Sequence, residues 1–67
     1  MRFDPAALTR LRQAAGMSQV ELAWASGVDP GIISRLEAGK RLNPTAATIA
    51  KLGVVLGPGA IELMMHD

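Results

Sequence analysis

The chain has 67 residues, a net charge of +1 and an apolar fraction of 49% that is mainly Ala and Leu, with 3% aromatic residues. So short a chain holds one domain, spanning residues 1–67, and a composition poor in β-branched and aromatic side chains makes that domain helical. The lack of Cys excludes disulfide frameworks, thiolate zinc sites and cysteine nucleophiles, and a single His leaves no partner for metal or triad chemistry.

Helix punctuation recurs along the chain. Asp4-Pro5 reads as an N-cap followed by Pro at the first helical position, with Phe3 and Leu8 placed as a hydrophobic staple. Leu8, Leu11 and Ala15 mark one face, and Gly16 suits a left-handed stop, which predicts a helix over residues 5–15. Ser18-Gln19-Val20-Glu21 is a capping box, stapled by Met17 and Leu22, and opens a short helix over residues 18–25 that Gly27 breaks. Asp29-Pro30 repeats the cap-plus-Pro signal with Val28 and Ile33 as staple. Ile33 and Leu36 face inward and Gly39 stops a third helix over residues 30–38.

A polar loop, Lys40-Arg41-Leu42-Asn43, precedes a fourth helix that starts near Pro44-Thr45, capped by either Asn43 or Thr45. Ile49, Leu52 and Leu56 give its buried stripe. Gly53 in mid-helix costs about 1 kcal/mol relative to Ala, so a close helix–helix contact is the expected compensation. Gly57-Pro58-Gly59 ends that helix, and residues 60–65 form a short fifth one. The expectation is an all-α bundle of five helices with no strand.

No apolar run approaches the roughly 18 residues of a membrane span, and no signal-peptide layout or Walker- or Rossmann-type glycine loop is present. The chain reads as cytoplasmic and non-enzymatic, with no catalytic residue, metal or cofactor. Residues 1–41 carry six cations and four anions, and residues 42–67 carry one cation and two anions. That asymmetry allows a polyanionic partner for the N-terminal part.

The Ser26-Gly27-Val28 link between the second and third helices has helix-turn-helix spacing, in which the second helix of the pair enters the DNA major groove. From Leu11 to Leu56 the sequence resembles the lambda-repressor-like DNA-binding domain of the Cro/repressor, or xenobiotic-response-element, family. The matching residues are Gln19, Leu22-Ala23, Gly27-Val28, Ile33, Leu36-Glu37, Gly39-Lys40 and the Pro44-Thr45 restart.

The resemblance implies a role for each matching position. Gln19 meets a DNA phosphate at a helix N-terminus. Pro30, Gly31 and Arg35 fall at base-reading positions, with Ile32 and Ser34 beside them. Pro30 and Gly31 depart from the usual polar readers and offer no side-chain donor, so Arg35 is the main candidate for reading a base, through guanine O6 and N7. Its alternatives are a phosphate contact or an ion pair with a nearby Glu. Ile32 can meet a thymine methyl or pack at the edge of the core. Lys40, Arg41 and Asn43 match the loop that grips the sugar-phosphate backbone, and Arg12 and Glu37 match an ion pair between the first and third helices, from which Arg12 reaches phosphate second.

Trp24 stands where the family has a polar residue; it is expected partly buried over the bundle, with a partner contact as the alternative. Ile61, Leu63, Met64 and Met65 are either local core or a homodimer surface, and His66 reads as an ordinary tail residue. The resulting expectation is a sequence-specific transcriptional regulator of double-stranded DNA, a phage-type or Cro-like repressor that binds a palindromic operator as a homodimer, including the case of dimers formed only on DNA. The alternatives are the antitoxin of a toxin–antitoxin pair, with a toxin partner, and a protein-interaction module on the same fold with weak or no DNA binding.

Overall fold

Each long helix starts at a short polar side chain that accepts from a backbone N–H three residues on. Asp4 Oδ1 takes Ala7 N at 3.2 Å, Ser18 Oγ takes Glu21 N at 3.0 Å, Asp29 Oδ2 takes Ile32 N at 3.2 Å and Thr45 Oγ1 takes Thr48 N at 3.1 Å. At Ser18 the bond is reciprocated, since Glu21 Oε1 accepts from Ser18 N at 2.8 Å. Those bonds to Ser18 also hold the Glu21 carboxyl below its ordinary pKa. Thr45 is therefore the cap that the sequence left undecided against Asn43.

The computed structural model describes residues 2–40 and 43–66, so Arg41 and Leu42 lie outside the described residues. Its helices are α1 (Pro5–Ala14), α2 (Gln19–Ser26), α3 (Pro30–Glu37), α4 (Ala46–Leu56) and α5 (Ala60–Met64). All five expected helices are present. Several ends shift by one residue: α2 runs one position later than 18–25, α3 stops at Glu37 instead of 38, and the ends of α1 and α5 also differ. Ala15 lies past α1 and is exposed, because Gly16 turns the chain away at φ 71°; the inward place is taken by Ala7, beside Leu8 and the half-buried Leu11. Met65 leaves α5 for extended backbone.

That extended backbone overturns the expectation of no strand. β1 (Arg2–Phe3) pairs antiparallel with β2 (Met65–His66), in register Arg2 with His66 and Phe3 with Met65. Asp4 N donates to Met64 O at 2.7 Å and extends the pairing by one bond. His66 Nε2 stands 3.2 Å from Asp4 Oδ2, so the residue read as an ordinary tail closes the two ends of the chain on each other. Its hydrogen bond is the largest influence that holds the Asp4 carboxyl below its usual range, followed by the cap bond from Ala7.

The core is small and aliphatic. Its six fully buried large side chains are Leu8, Leu22, Ile33, Leu36, Leu52 and Met64, so every helix supplies at least one. Phe3 and Val28, the outer halves of two staples, are buried as well, and Met17 packs against the same cluster. α2 packs on both α3 and α4, while α1 touches α3 and α5. Rotation of α3 is thus fixed by Ile33 and Leu36 on one side.

Gly53 has an ordinary helical backbone, since it is not among the glycines at positive φ. Its small size is what matters. A Cβ there would stand 2.8 Å from Ile61 Cγ1 and 3.0 Å from Ile61 Cδ1, inside van der Waals contact. The close α4–α5 approach is the expected compensation for a glycine in mid-helix. Gly53→Ala should therefore lower the denaturation midpoint in the wild-type background. In an Ile61→Ala background the same change should raise stability, by up to about 1 kcal/mol of recovered helix propensity. Equal effects of Gly53→Ala in both backgrounds, read by urea denaturation, would contradict the steric account.

Candidate nucleic-acid interface

The turn between α2 and α3 is built from two hydrogen bonds and one buried side chain. Gly27 takes φ 76°, and its N–H bonds to Ala23 O at 2.9 Å. Ser26 Oγ accepts from Val28 N at 3.2 Å, and the Val28 side chain is buried. Asp29 then caps α3. With Ile33 and Leu36 turned inward, Pro30, Ser34 and Arg35 are exposed on the outer face. Ile32 is half-buried and packs against the core, which matches the edge-of-core alternative; Gly31 is half-buried too.

One carboxylate joins three helices. Glu37, the last residue of α3, accepts from Arg12 Nε at 2.7 Å, Arg12 Nη2 at 2.9 Å, Thr9 Oγ1 at 3.0 Å and Gln19 Nε2 at 3.3 Å. The remaining fork nitrogen, Arg12 Nη1, donates to Met17 O at 2.8 Å. Side-chain exposure is only 14% at Arg12 and 6% at Glu37. The ion pair expected between the first and third helices is present, in the bidentate form that an Arg fork permits. Burial, the largest single influence, pushes the Glu37 carboxyl up. The bonds from Arg12, Gln19 and Thr9, with the Arg12 charge, outweigh it and hold the group below its ordinary value.

The expected site residues fall into distinct groups. Arg12, Gln19 and Glu37 are brought together, and the Gln19 amide spends a donor inside the protein. Lys40 and Asn43 are exposed, and Lys40 N closes the end of α3 by bonding to Arg35 O at 3.0 Å. Arg41 falls outside the described residues. At the far end, Met64 is fully buried and offers no free surface, Met65 is half-buried and packs against the core, and Ile61 and Leu63 are exposed. Trp24 is 79% exposed, which corrects the expectation of a Trp lying over the bundle. Leu22 and Ala23 take the inward positions of α2, leaving Trp24 outward with Val20 one turn before it. Thr9 was not anticipated at Glu37; its place one turn before Arg12 was the available signal.

Among the described residues no group of three or more His, Cys, Asp or Glu could hold a metal ion, and no helix is long and apolar enough to cross a membrane. Two short helices joined through a left-handed glycine, with the second held by its inner residues and its outer face exposed, define a helix-turn-helix unit. The chain belongs to the helix-turn-helix domain family, which matches it over residues 6–63. It is 40% identical over 55 residues to an uncharacterized HTH-type transcriptional regulator, y4dJ, of Sinorhizobium fredii, covering 82% of this chain and 70% of that one. It is 45% identical over 49 residues to an uncharacterized HTH-type transcriptional regulator, RghRB, of Bacillus subtilis, covering 73% of this chain and 35% of that protein. No solved structure gives a significant match.

The Glu37 node predicts an acid limb in stability. A carboxyl whose folded pKa is depressed stabilises the fold fully above its unfolded value, near 4.5, and that stabilisation is lost as pH falls through the lower folded value. Glu37→Gln should cost stability at neutral pH and flatten the decline between about pH 5 and pH 3 relative to wild type. Arg12→Ala, which strands a largely buried carboxylate, should cost about 3 kcal/mol at neutral pH. Parallel wild-type and Glu37→Gln pH profiles of the unfolding midpoint would contradict the assignment.

Proposed function

We propose that this chain is a sequence-specific regulator of transcription that binds double-stranded DNA, a phage-type or Cro-like repressor that places α3 in the major groove. The observation that carries the reading is the outer face of α3, where Pro30, Ser34 and Arg35 are exposed while Ile33, Leu36 and Glu37 anchor the helix from behind. Family membership and the printed names of the two bacterial relatives support the same reading. In it Arg35 reads a base, Ser34 assists, Ile32 reaches a thymine methyl with its exposed part, and Pro30 and Gly31 let the backbone approach. Lys40, Arg41, Asn43 and Gln19 grip the sugar-phosphate backbone. Arg12 acts first through Glu37 and the Met17 carbonyl, with three of its five N–H groups, and reaches a phosphate second with those left.

A homodimer on a palindromic operator is part of the proposal, with Ile61 and Leu63 as its exposed apolar contacts and a cytoplasmic, nucleoid-associated location. One observation supports a second reading. Trp24, exposed and one turn from the exposed Val20, fits a protein-interaction module or an antitoxin with a toxin partner.

Binding measurements on a selected site and on random DNA, across a salt series, separate reading from gripping. Arg35→Ala should cost about 1–3 kcal/mol on the selected site and relax preference at one base pair per half-site. Lys40→Ala should weaken both DNAs alike and flatten the salt slope by about 1 per lost phosphate contact, or about 2 in a dimer. The selected sequence should be palindromic. No selected sequence, with no salt-dependent affinity for duplex DNA, would sink the proposal in favour of the interaction module.

A further inference from the structure

One oxygen of the Glu37 carboxylate has more donors than places for them. Oε1 accepts from Arg12 Nη2 at 2.9 Å, Thr9 Oγ1 at 3.0 Å and Gln19 Nε2 at 3.3 Å, while Arg12 Nε meets Oε2 at 2.7 Å. A carboxylate oxygen has two lone pairs, so three donors at Oε1 leave one in excess. The Gln19 bond is the longest of the set, past the usual N–H···O range of about 2.7–3.2 Å. Gln19 is the donor this carboxylate needs least.

Thr9 is what makes it so. The Thr9 hydroxyl has one hydrogen and two acceptors in reach, Pro5 O at 3.3 Å and Glu37 Oε1 at 3.0 Å. The carboxylate is both nearer and charged, so it takes the hydrogen. With that bond in place, Arg12 and Thr9 fill Oε1 and the Gln19 amide is held loosely. Without it, Gln19 has to fill the second place, because a carboxylate only 6% exposed has little water to turn to. Both amide hydrogens of Gln19 sit on one nitrogen, so a tighter bond to Glu37 restricts where the second can point.

We infer that Thr9 is a positioning residue for the DNA-phosphate contact: by filling Glu37 Oε1 it leaves the Gln19 amide free to turn from the carboxylate to a phosphate. The inference rests on the DNA-binding reading proposed above and on Gln19 as a gripping residue within it. Gln19 is half-buried at the first position of α2, between the Glu37 junction and the surface. When the amide leaves, Glu37 keeps the Arg12 fork and the Thr9 hydroxyl, so the junction that holds α3 stays closed while the protein grips. Thr9 acts through Glu37 throughout.

A double-mutant cycle tests this, read as the affinity of the folded full chain for random duplex DNA at neutral pH and fixed salt. Thr9→Val keeps the shape of the side chain and removes the hydroxyl; it should weaken binding by about threefold or more. In a Gln19→Ala background the same change should have no effect, since the amide it restrains is gone. Thr9→Ser restores the hydroxyl and should bind like wild type; a loss as large as that of Thr9→Val overturns the inference. A Thr9 that serves stability alone would move the unfolding midpoint and leave the affinity unchanged, which also overturns it, as does a Thr9→Val loss of equal size with and without Gln19. If Thr9→Val does not fold, Thr9→Ala takes its place in the same cycle. Gln19→Ala binding like wild type overturns the inference and the Gln19 contact but leaves the rest of the DNA reading standing. A wild type with no salt-dependent affinity for duplex DNA overturns both.

Discussion

Glu37 sits where α1, α2 and α3 meet, and the orientation of the exposed face of α3 depends on how its charge is satisfied. A carboxylate this close to fully buried is costly unless it is paired and its lone pairs are filled. Arg12 supplies a bidentate fork from α1, Thr9 adds a hydroxyl from the turn before, and Gln19 adds an amide from the start of α2. Arg12 also ties the loop ahead of α2 through Met17 O. A Lys at position 12 could not span two carboxylate oxygens and a carbonyl at once, so the planar fork is what this junction uses. With α3 gripped at its C-terminal end by Glu37 and along its length by Ile33 and Leu36, its outer residues have one direction left to face.

The rest of the bundle supports that grip with little material. Apart from Phe3 and the Met64 side chain, the core is built from branched aliphatics and Ala, and beside it α4 and α5 approach so closely that a methyl group on Gly53 would meet the exposed Ile61 side chain. The ends of the chain close on each other through two-residue strands and the Asp4–His66 contact. Asp4 therefore acts twice, as N-cap of α1 and as partner of His66. Anchoring both ends buries Phe3 and Met64 together with Leu8, beneath the helix that carries Thr9 and Arg12.

Helix starts were legible in the sequence because their determinants are local. An N-cap, the backbone N–H donor three residues on and the staple all lie within about six residues, and three such sets identified α1, α2 and α3. The Arg12–Glu37 pair became legible only through resemblance, since no local rule joins residues 25 positions apart. The strands were not legible for the same reason: residues 2–3 and 65–66 are too few to show alternation, and their pairing is set by where α1 and α5 end. Trp24 was misread because burial depends on whether another element covers the outer face of α2, and none does among the described residues.

The central claim is that the Glu37 junction turns the outer face of α3, rather than that of α2, toward the partner. The most direct measurement is an amide and indole chemical-shift titration of the full chain with a duplex of its selected sequence. The account predicts the largest shifts at Gly31, Ser34, Arg35 and Lys40, smaller ones at Gln19, and an unmoved Trp24 indole N–H. Shifts centred on Val20 and Trp24, with α3 unperturbed, would contradict it.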